Sequence, residues 1–339
     1  MKYILNEIPV KTTNSFNINN LKIDLDIPKD FTTKEFITKN TQDIEIKYSK
    51  SRDFNSNIGL TIPSALNIDI NITKSIKKPI EFIYEFTNDN LVDNININCK
   101  ENVEANIIFK YISKKDNNNF HYVKQIINLS NNSNLIITTV NLLNSNSISL
   151  IANESNVSEE STLIQNLIDI GGKIKINNYK SIINKNGKSY LNNIYLGKNN
   201  DIIDMNYHYI NNGTSSVANI ESRGVLNDLA KKNFRGTIDF ISGCAKSIGK
   251  ESEDCILLSD TCVSRSVPIL LCGEEDVEGA HSVSSGKIDE EKIFYMRARG
   301  IDKEEATKMI ILSNFNNILS NINNKRLENE LLKIIESKI

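Results

Sequence analysis

Polar and apolar residues alternate with a period of two through most of this chain. Between about residues 56 and 273 short runs such as Ile95-Asn96-Ile97-Asn98-Cys99 put every second side chain on one face. That is the pattern of a strand with one face in a core and the other toward water. The series Val103, Ala105, Ile107, Phe109 and Tyr111 repeats it, and Ile174-Lys175-Ile176 and Leu257-Leu258 mark later strands. Asn, Asp and Gly separate the runs, and these residues tolerate the left-handed conformations of tight turns. Strands in such number must close, stack or pair, because open edges template aggregation. A sandwich, a propeller and a β-solenoid all meet that demand. No exact repeat aligns by eye, which argues against a propeller with blade signatures. An irregular β-helix needs only rungs of similar length with inward apolar residues.

The pattern changes near Lys287. Ile288 to Gly300 reads as a helix: Asp289 caps its start, Glu290 and Glu291 fill the first turn, arginines fill the last and Gly300 ends it. A second helix starts near Asp302, with Ala306, Met309, Ile310, Leu312 and Phe315 as its apolar stripe. A third runs from about Asn324 to Ile339 and would bury Leu327, Leu331, Leu332 and Ile335. At the other end, Asp30 to Phe36 predicts a short helix capped by Thr32 or Thr33, followed by the strand Ile44 to Tyr48. The expected organisation is a small N-terminal α/β region over residues 1–55, a β-rich core over 56–286 and a helical domain over 287–339.

Composition narrows the function. With 39% hydrophobic and 24% charged residues the chain can bury a core and stay in water. Its formal charge of -2 gives no field that would draw nucleic acid or an anionic membrane. No apolar stretch is long enough to span a bilayer, and the apolar start is broken at Asn6 and Glu7, unlike a secretory leader. The expected compartment is the cytoplasm. There an odd set of five cysteines does not form a disulfide framework, and Cys244, Cys255 and Cys272 read as small buried hydrophobes. His121 and His208, in strand-like contexts, read as structural. The heavy use of Asn, Ile, Lys and Ser reads as drift of the source genome. No G-x-x-x-x-G-K-[ST] loop is present, so no direct ATP binding is expected. No Ser/His/Asp arrangement or carboxylate pair marks a hydrolase, so no enzyme is expected.

One succession of motifs is more specific. Arg223-Gly224-Val225-Leu226 and Phe234-Arg235-Gly236-Thr237-Ile238 precede Cys255-Ile256-Leu257-Leu258-Ser259-Asp260-Thr261-Cys262 and Val267-Pro268-Ile269-Leu270. Then come Asp276-Val277, His281, Ser285-Gly286-Lys287-Ile288-Asp289-Glu290 and Phe294-Tyr295-Met296-Arg297-Ala298-Arg299-Gly300-Ile301. This succession resembles the SufB/SufD family of iron–sulfur cluster assembly proteins over roughly residues 220 to 315. Upstream, Ile170-Gly171-Gly172, Tyr195-Leu196-Gly197 and Asp204 agree with it. The resemblance implies a right-handed parallel β-helix with a variable N-terminal region and a C-terminal helical domain. It implies a cytoplasmic scaffold that binds the SufC ATPase, an ABC-type enzyme, through its helices. It also implies pairing with a SufB/SufD-like paralogue or a second copy through the β-helix, with a sulfur donor protein as a further partner.

The residues are SufD-like with a SufB-like cysteine. Cys262 matches the Cys of SufB-type chains, and His281 the His shared by both types. Ser282 stands where SufB-type chains carry Glu, and Asn211 where a His is common. Iron–sulfur chemistry uses soft thiolates and sometimes imidazole, so Cys262 and His281 are the candidate ligands of a transient cluster. They are too far apart in sequence for a local metal knuckle, and only the fold can unite them. Phe294, Tyr295, Arg297 and Arg299 are the candidate ATPase-facing residues. Two alternatives are a structural adaptor of this fold without cluster chemistry and a β-solenoid enzyme acting on polysaccharide.

Overall fold

The structure, a computed structural model, describes residues 1–11, 17–51, 54–62 and 65–339. Two nine-stranded sheets run its length, and the chain steps from one to the other at every strand. In each, eight strands are parallel and in register, from Ala65–Ile72 to Val263–Cys272 in one and from Ile80–Phe86 to Val277–Lys287 in the other. The result is a parallel β-helix of eight rungs. The first rung meets two antiparallel strands, Ile37–Lys39 against Ile80–Phe86 and Glu45–Ser51 against Ala65–Ile72.

Alternation decides which side chains enter the lumen. In Ile80–Phe86 every second residue is fully buried, and Phe82, Tyr84, Phe109, Leu167, Tyr179 and Tyr207 join one continuous core. In the middle rungs strands such as Thr162–Asp169 are buried on nearly every residue, because a second layer covers the outer face. Over one sheet lie Leu5, Leu21, Leu25, Ile58 and Leu60, packed on Val92, Phe120, Tyr122 and Leu150. Over the other lie three helices, α1 (Glu290–Ala298), α2 (Lys303–Ser320) and α3 (Lys325–Lys338). Phe315, Ile318 and Leu331 of the last two pack on Ile108, Val140, Ile168 and Ile194.

The corners repeat. Asn102, Asn132, Glu160, Asn186, Ser215 and Lys246 all have positive φ, from 53° to 61°, and recur every 26 to 31 residues. Each donates its backbone N–H to the next rung, as in Asn132 to the Glu159 carbonyl at 3.0 Å. Asn side chains also stack between rungs. Asn128 donates to Asn98 and Asn98 to Asn71, both at 3.1 Å, and Asn212 to Asn184 at 2.9 Å. The abundant Asn is therefore structural: it suits αL corners and satisfies its own amide along a parallel stack.

The helices start where expected, with Asp289 as the expected cap of the first. Asp289, Asp302 and Asn324 accept from the backbone N–H groups of Glu291, Glu305 and Leu327. Three expectations fail. Asp30 to Phe36 is not helical; the Thr32 hydroxyl accepts from Lys34 N in a local turn. Phe31 packs 6.1 Å from Phe120, and Phe36 lies 5.5 and 5.8 Å from Tyr84 and Tyr111. Burial of two rings holds the segment extended against a weak helical preference. The apolar stripe of α2 is rotated: Ile311, Ile318 and Leu319 are buried, while Met309 is 45% exposed. Cys272 is exposed rather than buried, because it ends a strand of the last rung, where no further rung closes the lumen.

Candidate functional site

The last rung sets the candidate site. Among the described residues Val263–Cys272 pairs only with Lys231–Phe240, and Val277–Lys287 only with Ser247–Leu257. Each thus leaves one row of backbone N–H and C=O groups without a strand partner, a template for pairing. Most of Val277–Lys287 is exposed.

Inward positions follow from contacts across the lumen. Ser264 and Ser285 hydroxyls meet at 2.8 Å, and a side chain at Gly279 would touch Phe240 and Leu270. Odd-numbered residues of Val277–Lys287 therefore face the lumen, so His281 points inward and Ser282 outward. His281 is in register with Glu251 one rung below.

Cys262 lies in the turn before Val263–Cys272, half-buried, with its thiol 3.1 Å from the Ser259 carbonyl. It sits at the end of the rung marked by Ser264 and Ser285. His281 lies four residues along the strand from Ser285, a shift of roughly 13 Å. The fold thus places Cys262 and His281 on one rung but does not bring them together. Among the described residues no group of three or more His, Cys, Asp or Glu could hold a metal ion.

Charged side chains occupy the lumen directly beneath. Lys232 Nζ lies 2.6 Å from Glu253 Oε1 and donates to Ser266 Oγ at 2.8 Å. Ser266 donates to Glu253 Oε2 at 2.9 Å, and the Tyr195 hydroxyl also donates to Glu253. Glu251 is as deeply buried, 2% exposed, yet neither carboxylate oxygen has a hydrogen-bond partner among the described residues. Burial, and then repulsion from Glu253, push its pKa up to about 8. Gly236 makes the space, since a Cβ there would collide with the Glu251 carboxyl. Burial also pushes the Cys255 thiol up to about 11, well away from a ready thiolate. The sequence reading missed Glu251, Glu253 and Lys232. The signal was two acids on the inward register of a strand that continues inward with Cys255 and Leu257.

A second surface lies at the helices. Phe294 and Tyr295 are 75% and 61% exposed, and only Ile293 of α1 is buried. Arg299 donates to the Tyr295 hydroxyl at 3.2 Å and stacks over its ring, while Arg297 is exposed. A groove of about 680 Å³ runs between the last strand and α1 and α2, lined by Ile256, Ile288, Met296, Met309 and Ile310.

Other expected positions are structural. His121 Nε2 lies 3.1 Å from Asp93 Oδ1 in the sealed core. His208 lies 3.4 Å from Asp239 on the outer face, and burial holds its pKa down. Gly171 packs against the Leu143 backbone, where a side chain would collide. Among the described residues no helix is long and apolar enough to cross a membrane.

Comparison with known proteins agrees with this architecture. Residues 82–314 match the family model of the SUF system FeS cluster assembly, SufBD core domain. The iron–sulfur cluster assembly protein SufD of Bacillus subtilis is 27% identical over 146 residues, 43% of this chain and 33% of the relative. SufD of Escherichia coli is 23% identical over 237 residues, 70% of this chain and 56% of the relative. A SufBD family protein of Pyrococcus horikoshii is 31% identical over 156 residues, 46% of this chain and 34% of the relative. The matched segments thus span about a third to just over half of these relatives. Because the family match runs through more than half of the chain and takes in the open rung, the chain belongs to the SufB/SufD family of iron–sulfur cluster assembly proteins.

Proposed function

We propose that this chain is a scaffold subunit of a Suf-type iron–sulfur cluster assembly complex. It pairs through the open end of its β-helix and binds a SufC-like ABC-type ATPase through its C-terminal helices. The observation that carries the reading is the last rung, which combines two unpaired strand edges with Cys262 and His281. The cluster is cargo rather than a resident cofactor. A cluster needs soft thiolate or imidazole ligands from several directions, and one Cys and one His set farther apart along the rung than the roughly 13 Å between Ser285 and His281 cannot enclose it. A second chain docked edge to edge would supply the remaining ligands, so assembly and pairing become one event.

The ATPase surface is assigned to α1. Phe294 and Tyr295 form an exposed aromatic pair beside an apolar groove, with Arg297 and Arg299 as flanking cations. Aromatic and arginine side chains are the usual anchors of a protein interface. ATP hydrolysis belongs to the partner, which would transmit its motion through the helices to the rods.

Two experiments test the reading. Co-expression with the ATPase should yield a co-purifying complex that Phe294→Ser with Tyr295→Ser abolishes at unchanged thermal stability. Retention of the wild-type yield by the double variant would remove α1 from the interface. Anaerobic reconstitution of the paired complex with iron and sulfide should give cluster absorption that Cys262→Ala diminishes. Identical spectra would favour the structural adaptor, with no cluster chemistry at this rung.

A further inference from the structure

We propose that Glu251 and His281 form a binding site for a single divalent transition-metal cation in the mouth of the lumen, separate from the thiol of Cys262. The inference rests on the reading above only in naming ferrous iron as the physiological cation.

Three features converge. Glu251 is 2% exposed and aimed into the lumen, and both its oxygens lack partners among the described residues. The lumen near it holds a second carboxylate, Glu253, whose charge the Lys232 ammonium already matches. Among the described residues no cation is therefore left to match Glu251, and a buried carboxyl with neither a cation nor a hydrogen-bond partner is an arrangement proteins otherwise avoid. Above it lies His281, in register on the next strand and facing the same lumen. That strand is the last of its sheet, so the site opens to solvent on the side of the imidazole.

The donors suit the ligand. A carboxylate and an imidazole take iron, manganese, cobalt or zinc in the divalent state, whereas thiolates select softer partners. Gly236 gives the carboxyl its room, because the volume a Cβ would fill is the volume the carboxyl occupies. Ser264 and Ser285 supply hydroxyls further along the same mouth. Two protein ligands leave several coordination positions for water, as expected of a site that hands its ion on.

The test uses the purified chain under anaerobic, sulfide-free conditions, titrated with Co²⁺ as a spectroscopic probe and then with Fe²⁺. One equivalent should bind, with visible absorption of the cobalt form. Glu251→Gln and His281→Gln should each weaken binding by at least about tenfold, the lower end of what losing even an outer partner of a metal ligand costs. Glu278→Gln, on the outward face of the same strand, should bind as wild type does. His281→Gln changes an exposed side chain and so keeps the test valid should Glu251→Gln fold poorly. Co²⁺ should also raise the unfolding temperature of the wild type and leave that of Glu251→Gln unmoved. Absence of binding to the wild type, or unchanged affinity in both Gln variants, overturns the proposal. Such a failure leaves ATPase co-purification intact, whereas loss of co-purification leaves this titration intact.

Discussion

Glu251 makes the stability of the last rungs depend on pH, in a direction opposite to that of most carboxylates. Its pKa is about 8 in the folded chain against 4.5 for an unperturbed Glu. The folded state therefore holds a proton that the unfolded state has released, and stability falls as pH rises between the two values. Each unit of pKa is worth about 1.4 kcal/mol, so the full penalty above pH 8 is about 5 kcal/mol. Glu251→Gln replaces the neutral acid by a neutral amide of the same shape. At pH 5 the two proteins should differ by less than about 1 kcal/mol, since each buries an unpartnered neutral group. At pH 9 the variant should be more stable by about 5 kcal/mol, with most of the gain appearing between pH 5 and 8. Urea unfolding with a chelator present, repeated from pH 5 to 9, measures this. Because rung stability is passed mainly between neighbours, amide exchange in Ser247–Leu257 reads the same effect locally. A stability difference that stays flat across this pH range would refute the reasoning.

Further outcomes follow from the same contacts. Arg235 and Asp204 form a fully buried ion pair, and Arg235 also donates to the Ile18 carbonyl at 3.0 Å while Asn6 donates to Asp204 at 2.7 Å. Arg235→Met should cost about 3–5 kcal/mol in urea unfolding and make the N-terminal segment more susceptible to limited proteolysis. Ile318→Ala empties a fully buried position between α2 and the sheet. It should lower stability by about 2–5 kcal/mol in the same assay.

Alternation in runs such as Ile95 to Cys99 carried the strands, their inward residues and the exclusion of long helices. Caps such as Asp289 carried the helical end. What periodicity could not carry was the winding, because a parallel rung and an antiparallel hairpin leave the same alternation on a strand. The winding was nevertheless written in the corners. Asn102, Asn132 and Asn186 recur at rung intervals, but Glu160, Ser215 and Lys246 hold the same conformation without the same letter, which hides the repeat from the eye. Phe31 and Phe36 misled because a ring's burial site lies far away in sequence. At the candidate site the motifs led to Cys262 and His281 but said nothing of their separation, which depends on where along a rung each residue falls. Glu251 was overlooked because an acid between Lys250 and Glu253 reads as a solvated surface until its inward register is known.

The two ends of the rod are finished differently, and this limits how many copies can join. At the first rung the chain adds Ile37–Lys39 and Glu45–Ser51 in reversed direction, and the outer strand carries Glu45 and Lys47 as an exposed ion pair at 2.8 Å. Reversed polarity and charge discourage another rod from stacking there. The last rung lacks the reversed strands, although it too carries exposed charge, in the Lys287–Asp260 pair. A rod with one receptive end cannot propagate head to tail into a fibre, because the contact it can make consumes the surface it offers. Were rods to pair through this end as proposed, the architecture would set the size of the assembly at two and concentrate their joint chemistry at a single seam.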